Sequence, residues 1–114
     1  MLKEKYFMVF CSCPDEDTAA ALARQLVTER LAACVNRIAG VHSTYFWEGA
    51  VQDEPEVLIV AKTTADRLAT LSARMEALHP YEVPEVVAIG IAAGSERYLD
   101  WLGQTVAVGS NVGR

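Results

Sequence analysis

Tyr6 to Cys11 is an unbroken apolar run of β-favouring residues, the pattern of a strand buried on both faces and therefore central in its sheet. Pro14, Asp15, Glu16 and Asp17 follow at once, a proline and three acids where a helix N-terminus favours both, with Cys13 or Asp15 as the N-cap. The helix is expected to run to about Leu31, with Ala19, Leu22, Ala23, Leu26 and Val27 on one side and Arg24, Gln25, Thr28 and Glu29 on the other. Residues 33–40 begin a second extended stretch. From Val41 a period of two puts Val41, Ser43, Tyr45 and Trp47 on one face and His42, Thr44, Phe46 and Glu48 on the other. Aromatics on both faces predict that this strand touches something beyond its own helices.

Glu48 and Gly49 suit a hairpin turn, after which the acidic stretch Asp53 to Glu56 leads into the apolar strand Val57 to Ala61. Thr63 with Asp66 reads as a capping box, and Leu68, Leu71, Met75 and Leu78 have the spacing of one buried helical stripe, with Arg67, Thr70 and Arg74 facing solvent. The helix meets HPYEVPE at 79–85. Pro80 and Pro84 fix their own φ and push His79 and Val83 out of the helical region, so this segment is a stiff corner presenting an imidazole, a phenol and two carboxylates. Glu85 to Ile91 reads as a fourth strand, and Gly94 with Ser95 introduces a short helix around Tyr98 to Leu102.

The order β α β β α β plus a terminal helix is the split βαβ pattern of a ferredoxin-like α+β sandwich. Alternating strand directions bring Cys11, Cys13, the Trp47–Gly49 hairpin and the 79–85 corner to one end, and Cys34 to the other, where it reaches the first group only through a neighbouring chain or a bent strand. One domain over 1–108 is expected, with a flexible tail over 109–114.

Composition narrows the class. With 52% hydrophobic and 22% charged residues the chain of 114 is globular, and no apolar run approaches a membrane span of about 20 residues. The net charge of −5, without a basic cluster, argues against nucleic acid and favours cationic partners. Three cysteines and the absence of a signal-peptide pattern predict reduced thiols in the cytoplasm.

The chemistry-bearing residues each carry two readings. Cys11 and Cys13 share one side of an extended strand, where two thiols suit copper(I) or zinc with an imidazole completing the set; as small apolar residues they equally fill a core. His79 is either a ligand or a cap on the last carbonyls of its helix, whose dipole favours the protonated ring by about 0.3 to 1 kcal/mol. Trp47, Glu48, Tyr81, Glu82 and Glu85 are candidate lining for a pocket, although corner carboxylates are often merely solvated. His42, Trp101 and Cys34 read as interface or packing residues. No C-x-x-C pair, phosphate loop or G-x-S-x-G string is present, so no enzyme is expected.

LAACVN at 31–36, YFWEG at 45–49, KTT at 62–64, HPYEVPE at 79–85 and YLDW at 98–101, five strings in order, resemble the CutA family of divalent-cation tolerance proteins. The resemblance implies a PII-like, ferredoxin-like subunit in a homotrimer with strands contributed across interfaces. It also implies cytosolic metal tolerance with copper or another divalent cation bound. Carried over, the metal-associated positions are Cys11, Cys34 and His79. Leu78 stands where some members have a second histidine, and Cys13 where the family often has alanine. A PII-like shape also allows a regulatory module that binds a small molecule between subunits.

Overall fold

The computed structural model describes residues 3–109, so the tail expected over 109–114 lies, but for Gly109, outside the described residues. The elements are β1 (Tyr6–Cys13), α1 (Glu16–Thr28), β2 (Cys34–Trp47), β3 (Ala50–Thr64), α2 (Ala65–Leu78), β4 (Val87–Gly90) and α3 (Glu96–Val106). The four strands form one antiparallel sheet in the order β2-β3-β1-β4, with β1 inside as its apolar run demands. This is the α+β, ferredoxin-like arrangement expected from the element order.

One sheet face carries the core. Val9, Cys11 and Cys13 of β1 and Val57, Ile59 and Ala61 of β3 alternate inward and meet Leu22 and Leu26 of α1 and Leu71 and Met75 of α2. Leu26, Ile59, Leu71 and Met75 are fully buried, where truncation to alanine costs about 2–5 kcal/mol. A smaller cluster joins Leu102 and Val106 of α3 to Ala33 and Tyr6. Outside the core, Arg74 of α2 reaches Glu29 just beyond α1 at 2.8 Å.

Helix boundaries depart from the sequence reading for local reasons. Asp15 is the N-cap of α1, accepting the Thr18 N–H at 2.8 Å. The helix stops at Thr28, before Leu31, because Arg30 turns left-handed (φ 59°), Leu31 N–H bonds to Leu26 O and Arg30 N–H to Val27 O. That is a Schellman stop with arginine in the glycine position, so no glycine announces it. At α2, Thr63 belongs to β3 and makes no capping box: its buried hydroxyl donates to Leu31 O at 2.7 Å, and the N-cap is Thr64 without a side-chain bond. The α2 stripe fades at Leu78, which is 38% exposed. β4 begins at Val87, two residues past the expected Glu85.

Two glycines shape β2 and β3. Ala39 and Gly40 oppose the single residue Val57, a bulge with Gly40 at φ 83°. Beyond it, among the described residues, β2 and β3 pair only with each other, from Val41–Glu56 out to Trp47–Ala50. Glu48 (φ 50°) and Gly49 (φ 80°) close the ribbon in a two-residue turn with both φ positive, as a type I′ hairpin needs. Because Cys13 pairs with Val57, the ribbon runs past the end of β1 by seven residues of β3, about 23 Å.

Candidate metal centre

The end of β1 and the corner after α2 build one buried cluster. Cys11 and Cys13, two apart on an extended strand, point to the same side and are fully buried. Pro80 ends α2 and leaves His79 extended (φ −78°, ψ 141°), which turns its ring onto β1. One ligand atom from each of Cys11, Cys13 and His79 falls within 4.8 Å of the others. The donor chemistry fits an ion: two sulfurs and an imidazole are the set that soft and borderline metals take.

His79 is neither a plain helix cap nor a free ligand. Its Nε2 lies 2.7 Å from Ser12 O, and its Nδ1 accepts the Tyr81 N–H at 3.1 Å. Since Nδ1 accepts, Nε2 carries the proton and donates to Ser12 O. Both ring nitrogens are thus occupied by backbone, and the ring packs against Tyr81 with centroids 4.7 Å apart. The imidazole clasps the corner to the strand that carries the thiols.

Acids surround the thiols. Glu56, beside the β2 bulge, is 7% exposed and accepts the Tyr81 hydroxyl at 2.7 Å, while Glu85 accepts the Ser12 hydroxyl at 3.3 Å. The Cys11 thiol holds its proton far more tightly than usual, first through its hydrogen-bonding interaction with Cys13 and next because it is buried, with Glu85 and Glu56 adding repulsion. The same bond pulls Cys13 down against burial and the charges of Glu56 and Asp15. Burial and then the bond to Glu56 push the Tyr81 phenol well above its ordinary value of 10.0. A dithiolate here needs a cation beside it, and the carboxylates favour one.

The family model for the CutA1 divalent ion tolerance protein matches residues 7–105, nearly all of the described chain. The chain belongs to the CutA1 family. Among its relatives, the divalent-cation tolerance protein CutA of Thermus thermophilus is 48% identical over 95 residues, covering 83% of this chain and 92% of that one. The chloroplastic protein CutA of Arabidopsis thaliana is 43% identical over 83% of this chain, which spans only 52% of that relative's length. The solved CutA1 from Shewanella sp. SIB1 superposes with a TM-score of 0.89 at 33% identity, covering 93% of this chain and 99% of that one. Divalent-cation tolerance is therefore the family's role.

Within this CutA1 subunit the other residues singled out from the sequence are spread apart. Cys34 opens β2 opposite Lys62, whereas Cys11 pairs with Ile59; three residues along and two strands across is about 14 Å, so Cys34 is outside the cluster. It lies instead beside Tyr98, whose phenol is raised first by burial and then by Cys34. Trp47 and Glu48 sit at the ribbon tip, six residues of β3 or about 20 Å beyond Glu56, the partner of Tyr81. Trp47 and Glu48 therefore stand apart from Tyr81 within one subunit, because the bulged ribbon projects past the sheet. A cleft of about 580 Å³ does exist near Lys5, Tyr6, Thr64, Asp66 and Val106, and none of those candidates lines it.

Glu56 and the Ser12 carbonyl were not visible as site groups in the sequence. Glu56 sits at the end of an acidic stretch that reads as solvated; its one signal is adjacency to the apolar run starting at Val57.

Proposed function

We propose that this CutA1 chain contributes to divalent-cation tolerance as a metal-binding protein, with the Cys11–Cys13–His79 cluster as the site and copper or another thiophilic ion as its cargo. The observation that carries this is the convergence of two buried thiols and an imidazole within 4.8 Å in an acidic setting. Bound there, an ion is desolvated and held rather than turned over, so the protein acts by binding and not by catalysis. Free thiols suit a reducing cytoplasm, and the charge of −5 suits metal ions and not nucleic acid.

Assembly as a homotrimer is part of this reading. A two-stranded ribbon is marginal alone in water, and Phe46 and Val51, paired across it, are 70% and 69% exposed. Val87 and Ile89 on the edge strand β4 are 51% and 50% exposed. Those apolar surfaces support burial against further copies of the chain. Sedimentation at micromolar subunit concentration is expected to give a trimer, dissociating in Phe46→Asp; a wild-type monomer would remove the assembly.

The function is tested by titrating the reduced protein with copper and with zinc, alongside Cys11→Ala and His79→Ala. Saturable binding that weakens in Cys11→Ala supports the site. Unchanged stoichiometry and affinity in both variants would exclude it.

A further inference from the structure

Accepting the metal-site reading above, we propose that the donor set is the Cys11–Cys13 dithiolate alone, selecting a soft ion that accepts two sulfurs nearly in line, monovalent copper, while His79 stays a positioning residue. The two sulfurs face the same side of β1 and lie within 4.8 Å of each other. Two metal–sulfur bonds of about 2.3 Å in line span about 4.6 Å, of the same order as the 4.8 Å within which the sulfurs lie. Among the described residues, His79 alone joins the two thiols as a candidate donor for an ion that needs four ligands. Both nitrogens of His79 are held by Ser12 O and Tyr81 N–H, and no carboxylate among the described residues converges on the two thiols with it. With both cysteines fully buried, water is also a poor source of ligands.

The exchange balances without redox chemistry. Two S–H bonds break, both protons leave to solvent, two S–Cu bonds form, and copper stays monovalent. The complex keeps one negative charge in place of the two of the free dithiolate. His79 closes the site by holding the corner against Ser12.

The test is anaerobic titration of the reduced full chain with monovalent copper against a competing chelator, read by sulfur-to-copper absorption and by X-ray absorption of the loaded protein. One ion per chain with two sulfur scatterers and no nitrogen is expected. Affinity should fall about 100-fold or more in Cys11→Ser and Cys13→Ser, and stay within about threefold in His79→Gln, whose amide keeps a donor for Ser12 O. A nitrogen scatterer, or loss in His79→Gln equal to that in the cysteine variants, would overturn the dithiolate assignment while leaving the metal site in place. No binding, or binding that none of the variants alters, would overturn both. The scatterer count on wild type decides the matter even where a variant does not fold.

Discussion

His79→Ala probes the clasp on which the site geometry depends. The ring is 8% exposed and makes two bonds to backbone, at 2.7 Å to Ser12 O and 3.1 Å from Tyr81 N–H. Deleting it strands a carbonyl and an amide, at about 1–3 kcal/mol for each partner left unsatisfied. Water entering the opened corner re-pairs part of that, and loss of the ring contact with Tyr81 adds about 0.5–1.5 kcal/mol, for a net cost of about 2–4 kcal/mol. Against a typical total of about 5–15 kcal/mol this is a large fraction. The assay is urea unfolding of the metal-free protein at fixed subunit concentration, since an oligomer's midpoint moves with concentration. His79→Gln keeps the Ser12 donor and His79→Asn the Tyr81 acceptor, so each should recover about half of the loss. A cost below about 0.5 kcal/mol, or no recovery in either conservative variant, would refute the clasp.

Three further outcomes follow from local geometry. The Tyr81 phenol is raised in the folded state, so its stabilising contribution is full below its unfolded value of 10.0 and lost as pH rises above it; unfolding titrations should show a decline above pH 10 that Tyr81→Phe flattens. Asp15 is depressed chiefly by the Thr18 N–H, so its contribution is present above 3.8 and lost as pH falls below it, and Asp15→Ala should remove that acid slope. Gly49 has φ 80° with nothing within 4 Å of a built Cβ, so Gly49→Ala should cost about 1–2 kcal/mol by backbone strain alone, measured by thermal unfolding, with Gly49→Asn milder.

Much of the fold was legible because periodicity and punctuation agree. The continuous run Tyr6–Cys11 marks a central strand, the period of two after Val41 marks a long extended one, and Glu48–Gly49 marks the hairpin. What was hidden depends on exceptions to local rules. Arg30 in the left-handed region ends α1 without a glycine, and Thr63 spends its hydroxyl on Leu31 O rather than on a helix end. The Gly40 bulge is likewise invisible until the register with Val57 is seen, and with it the projection of the ribbon that separates Trp47 from Tyr81.

The candidate site was half legible for a related reason. Spacing of two places Cys11 and Cys13 together, and topology brings the 79–85 corner to their end of the sheet. The partners of His79 are a carbonyl on β1 and an amide two residues on, and Glu56 meets Tyr81 across 25 residues. Backbone groups and long-range carboxylates have no sequence signature, so whether the imidazole holds an ion or the chain itself could not be read from HPYEVPE.

The most direct test of the metal centre is anomalous diffraction at the copper edge from crystals of the reduced protein grown with copper. A peak between the Cys11 and Cys13 sulfurs in each subunit is the predicted result. Copper found only elsewhere, at Cys34 or on the Glu54–Tyr45 ribbon, with none at the cluster, would contradict it.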